Sequence, residues 1–160
     1  MFRNFSRKIW GPHSKTTLAL NSPANKLAAM YLSQLTAGLE QLAPLALASE
    51  WDNTGVLIQP HGSPEVQRVL LTIDLTEAVL SEAVEMSAQV IVAYHPPIFS
   101  GLKRLTPADR VGSLVVRVLQ HEIAVYTPHT ALDAAPGGMN DWLCEAFGPG
   151  HTEPAVPNAC

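Results

Sequence analysis

Three stretches of the chain end on side chains able to do chemistry. "VQRVLLTIDL" is followed by "TE" and contains Asp74, "VIVAYH" closes on Tyr94 and His95, and "IAVYTPH" runs through Tyr126 to His129, with Asp133 four positions further on. A neutral imidazole nitrogen and an anionic carboxylate oxygen make a natural ligand set for a divalent transition metal. His95 and Asp133 form the leading pair. His129 is either a third ligand or a group standing behind the ligands, a supporting place also open to Tyr94 and Asp74. Plainer roles fit the same spacings. A lone His after a strand often serves as a hydrogen-bonded structural group, an Asp before "LTE" as a cap or turn acceptor, and "WDN" as a packed aromatic followed by an Asx turn. Pro and Gly flank the segment from 129 to 133, which therefore reads as a loop rather than a helical i, i+4 pair. Cys144, beside Trp142 and Leu143, reads as core.

For these groups to meet, the elements carrying them must end on one rim. The apolar runs at 66–75, 90–95 and 123–129 have the continuous character of buried strands, and the segments 76–88 and 106–122 between them have helical character. Strand, helix, strand, helix, strand predicts an α/β fold with a mainly parallel sheet and flanking helices. Ligands in such sheets sit outside the carboxyl ends of the strands. Pro96 and Pro97 end the second strand because a proline has no amide to give the ladder, which leaves His95 on a fixed corner. Thr76 and Glu77 start their helix well, a hydroxyl capping an orphan amide and an acid facing the positive dipole end. Upstream, Asn25 caps a helix over 26–43 that Pro44 stops, and a short strand follows at 56–58; a last helix is expected over 139–147.

Composition narrows the function. With 160 residues, 47% hydrophobic and 15% charged, the chain can bury one ordinary core. A net charge of −4 gives no basic surplus for phosphate backbones, so no direct nucleic-acid binding is expected. Every apolar run is interrupted well short of the roughly 18 residues of a membrane span. Cys144 and Cys160 are the only cysteines, which excludes a disulfide framework. Phosphate-loop, nucleophile-elbow and HExxH patterns are absent. Residues 1–39 hold Arg3, Arg7, Lys8, Lys15 and Lys26 but no acid, the composition of a mitochondrial transit peptide or a merely basic leader. The expected organisation is a leader over 1–24, one α/β domain over 25–148 and a disordered, proline-rich tail over 149–160.

Taken together, "EWDNTGVLI", "LLTIDLTEAVLSEAV", "VIVAYHPPIF" and "IAVYTPHTALDAAPGGMNDWL" resemble the Nif-three-like family, the YbgI-type dinuclear metal proteins that carry the label GTP cyclohydrolase I type 2. The likeness runs from Leu27 to Phe147. It implies an α/β fold of two interleaved halves, homo-oligomers that are toroidal hexamers at full length, and paired divalent ions: zinc, iron, manganese or cobalt. By position, His95 matches the second of two adjacent histidine ligands and Asp133 a bridging aspartate. Tyr94 replaces the first histidine, and a phenol of pKa about 10 is a poor ligand at neutral pH. The family's late H-x-x-x-E pair is not matched by His151 and Glu153, which implies an incomplete version of the family fold in a shortened, animal-like member. The implied function is a metal-dependent hydrolase-like protein of unknown substrate. The alternative is a non-enzymatic transcriptional co-regulator with a transcription-factor partner. Mitochondrial localisation is expected from the leader, with cytoplasm and nucleus as the alternative.

Overall fold

The computed structural model of the protein describes residues 17–19, 30–62 and 65–154. Its sheet has five strands in the order β1-β3-β4-β5-β2: β1 (Thr17–Ala19), β2 (Gly55–Ile58), β3 (Arg68–Thr72), β4 (Val90–Ala93) and β5 (Ala124–Thr127). The three central strands β3, β4 and β5 are parallel, and each edge strand is antiparallel to its neighbour. Burial follows the expected pattern in β4 and β5, where Val90, Ile91, Ala93 and every residue of β5 are buried, but not in β3, where only Leu70 is buried and Leu71 is exposed because the strand lies next to the edge of the sheet.

Alternation along the strands sorts side chains between two apolar layers. Leu70, Ile91, Ala93 and Val125 pack with Leu80, Ala83, Leu114, Val115 and Val118 of helices α2 (Glu77–Glu85) and α3 (Arg110–Gln120). Val69, Val90, Val92 and Ala124 face Leu32 and Leu35 of α1 (Leu32–Leu42) on the other side. Thr76 caps α2 by accepting from the Val79 amide, and Asp109 caps α3 by accepting from the Gly112 amide at 2.7 Å. An ion pair between Arg117 and Glu77 joins these helices.

Four expectations need correction. Helix α1 begins at Leu32, because the Met30 carbonyl accepts from the Val66 amide at 2.6 Å and Tyr31 forms an extended bridge with Glu65. Backbone committed to that bridge cannot also open a helix. Asn25 lies outside the described residues. Within the supposed leader, Thr17–Ala19 pairs with β3 at the sheet edge, while the remainder of 1–24 is outside the described residues. Tyr126 does not stand on the rim: it is buried under the sheet, 1% exposed, with no hydrogen-bond partner for its hydroxyl among the described residues. The segment after β5 is a short helix, α4 (His129–Ala134), rather than a loop. It is followed as expected by α5 (Met139–Cys144) and a 3-10 turn to Phe147. Residues 148–154 carry no regular structure, and 155–160 lie outside the described residues.

Candidate metal centre

The parallel strands deliver their last residues to one rim. Beyond β4 the ladder continues through two further amides, Tyr94 donating to Thr72 and His95 to the Ile73 carbonyl, both at 2.9 Å, before Pro96 stops it. The Thr127 hydroxyl reaches the carbonyls of Ala93 at 2.6 Å and Tyr94 at 2.8 Å, so the end of β4 is clamped to β5. His95 is thereby fixed on backbone bonds, and its Nδ1 donates to Asp74 Oδ1 at 2.8 Å.

Helix α4 is placed differently. Pro128 at its N-cap has no side-chain oxygen to offer the first amides, although its carbonyl accepts from the Ala131 amide at 2.9 Å. Asp52, 78 residues before Thr130, does that work: Oδ2 accepts from the Thr130 amide at 3.1 Å and from its hydroxyl, while Oδ1 accepts from the Asn53 amide at 2.7 Å. The same Oδ1 accepts from His129 Nδ1 at 2.8 Å. The Asp52 side chain is fully buried, and burial by itself raises a carboxyl pKa. Here the hydrogen bonds from Thr130 and His129, then those from the Asn53 and Thr130 amides, outweigh burial and hold the pKa below the usual carboxylate value. His129 has a backbone φ of +32°, in the left-handed region that a non-glycine residue rarely adopts.

The α4 helix carries His129 and Asp133 one turn apart, so their side chains share a face. Asp133 Oδ1 accepts from the Tyr94 hydroxyl at 2.5 Å. Burial first, then that bond and the Asp133 and Asp52 charges, push the Tyr94 phenol up to about 12. Tyr94 is therefore a proton donor bracing Asp133. Past α4 the chain turns sharply at Gly138, where an added Cβ would meet the Ala135 carbonyl at 2.7 Å and the Leu132 carbonyl closer still. Only glycine lets α5 fold back there, and Asn140 then donates to the Asp133 carbonyl at 3.1 Å. A cavity of about 580 Å³ beside α4 is lined by Thr130, Asp133, Asn140 and Cys144. Cys144 is half-buried rather than the core residue expected, and Trp142 near it is exposed.

The rings of His95 and His129 lie 5.7 Å apart edge to face, and Tyr94 is within 5.7 Å of both. An Nδ1 that donates to a carboxylate fixes the tautomer, leaving Nε2 as a lone pair without a partner among the described residues. In donor chemistry these two nitrogens suit a divalent ion. Among the described residues, however, no three His, Cys, Asp or Glu side chains converge closely enough to hold one. His95, His129, Asp133, Tyr94 and Asp74 all stand at the rim. Asp52 was missed by spacing, since its partners are far along the chain and its local signal was that of an ordinary Asx turn.

The sequence comparisons decide the family. A family model described as Duf34/NIF3 (NGG1p interacting factor 3) matches residues 30–159. The chain belongs to the Duf34/NIF3 family. It is 44% identical over 122 residues to NIF3-like protein 1 of Drosophila melanogaster, covering 76% of this chain and 42% of that protein. With the Homo sapiens NIF3-like protein 1 it shares 41% identity over 129 residues, 81% of this chain and 34% of the relative. The GTP cyclohydrolase 1 type 2 homolog of Bacillus subtilis is 42% identical over 118 residues, 74% of this chain and 31% of its own length. The chain thus spans less than half the length of these relatives. Among solved structures, the Bacillus cereus protein related to NIF3 superposes with a TM-score of 0.76 at 35% identity, over 82% of this chain and 36% of that one.

Proposed function

We propose that this Duf34/NIF3 chain contributes one part of a divalent-metal site in a hydrolase-like protein, with His95, His129 and Asp133 as its donors and Asp74, Asp52 and Tyr94 as the groups that orient them. The observation carrying this reading is the repeated carboxylate–imidazole pair. Each Nδ1 is held at 2.8 Å by an aspartate, the arrangement that orients histidines toward a metal and raises their basicity. A bound divalent ion supplies Lewis acidity toward a substrate oxygen and lowers the pKa of water. The chain's own residues do the positioning. Asp52 sets the tautomer of His129, Tyr94 braces Asp133 with its proton, and the Thr127 clamp fixes the corner that bears His95. Among the described residues three donors do not converge, and the chain covers under half of its relatives, so in this reading the site is completed by groups from elsewhere in a longer chain or from a second copy. Zinc, iron, manganese and cobalt all suit this donor set.

The test is metal content. Purified protein exchanged against each of the four ions should retain one, and His95→Ala and Asp133→Ala should each lower the retained fraction at least tenfold. Retention unchanged in both variants overturns the reading. A second reading, a non-enzymatic co-regulator acting through protein contacts, is favoured by the family description as an interacting factor and by the lack of three converging donors among the described residues. It expects a metal-free protein that still captures a transcription-factor partner.

A further inference from the structure

We propose that Trp51 and Phe99 form a stacking platform for a planar aromatic or heteroaromatic ring that carries no negative charge, at the mouth of the imidazole pair. Both side chains are large and apolar, yet Trp51 is 64% and Phe99 53% exposed. Their ring centroids lie 6.1 Å apart with planes inclined at 54°, so a flat ring laid on the indole is bordered by the phenyl. The indole also meets the His129 ring edge to face at 6.2 Å, and His129 meets His95. Adjacent rings therefore lead from the exposed indole to His129 and from His129 to His95.

Isolated exposed aromatics need no explanation; these two stand on loops that are pinned together. The Asn53 side-chain amide donates to the Ile98 carbonyl at 2.6 Å, joining the residue after Asp52 to the residue before Phe99. The Asp52 amide donates to the Ser49 carbonyl at 2.9 Å, and its buried carboxylate fastens the same loop to α4. Rings held this way lose little freedom on meeting a ligand, which is what preorganisation contributes to affinity. Stacking on an aromatic face is a recognised mode for planar rings of many kinds. The class is narrowed by charge: the carboxylates of Asp52 and Asp74 on the imidazoles, with that of Asp133 on Tyr94, disfavour an anionic ring. The inference concerns what approaches the rim and does not require a metal to be bound.

Benzamide and cyclohexanecarboxamide carry the same polar group and differ in having a flat π-face or a saturated ring. Titrated into the full chain and followed by ligand-observed NMR, benzamide should bind roughly threefold to tenfold more tightly. Trp51→Ala should abolish that preference, Phe99→Ala should reduce it, and Trp51→Phe should keep most of it. The same preference is expected with and without added zinc, so its loss and a loss of metal retention are separate outcomes. Equal affinity for the two amides, binding of neither, or a preference undiminished in Trp51→Ala overturns the proposal. So does a change in sedimentation on Trp51→Ala with the amide preference unaltered, which would assign the pair to contact between protein chains.

Discussion

His129 meets Asp52 and His95 meets Asp74 through the same ring nitrogen at the same 2.8 Å, but the two pairs live in different surroundings. The first is enclosed, its imidazole 17% exposed and its carboxylate not at all; the second stands in water, at 48% and 65%. The Asp52 carboxylate also serves three further donors, one of which starts a helix, whereas the Asp74 carboxylate has only its histidine among the described residues. Equal distances therefore describe unequal bonds. An enclosed carboxylate cannot be removed without stranding every donor it serves, while a solvated one is replaced by water.

The sharpest way to break the comparison is to delete the enclosed acid. Asp52→Ala should lose about 3–5 kcal/mol of unfolding free energy in a urea titration, because it leaves buried donors and a helix start unsatisfied. Asp52→Asn should also remove part of the acid sensitivity. The folded pKa lies below the unfolded value, so the stabilisation is present at neutral pH and disappears as pH falls through the folded pKa. Tyr94→Phe comes next, at about 1.5–3 kcal/mol for a hydrogen bond to a charged acceptor. With a phenol raised to about 12, the wild type keeps this stabilisation below the unfolded pKa near 10 and loses it as pH climbs to about 12. The variant should lack that alkaline limb in a pH-dependent melt. The smallest effect belongs to Asp74→Ala, expected to change unfolding free energy by less than about 1 kcal/mol. A loss as large as that of Asp52→Ala would erase the distinction between the two pairs.

What was legible in the sequence follows from how far each signal reaches. Local chemistry specified α2, since Thr76 and Glu77 act within one turn, and continuous apolar runs specified the central strands. The same alternation put His95 at a strand end with Pro96 behind it. Signals that depend on distant partners were illegible. Pro128 gives no hint that a helix begins after it, because the capping oxygen comes from Asp52. Likewise Met30 and Tyr31 have helical spacing, but a backbone bridge to 65–66 claims them. Trp51 was expected to be packed because large aromatics usually are; its exposure depends on a loop tied down by Asn53, whose partner is 45 residues away.

The left-handed backbone at His129 affects how any substitution there must be interpreted. Glycine would relax the corner while taking away the ring, and alanine would take away the ring while leaving the torsion unrelieved. The difference in stability between His129→Gly and His129→Ala therefore isolates the torsional cost of aiming the imidazole, apart from anything the imidazole holds.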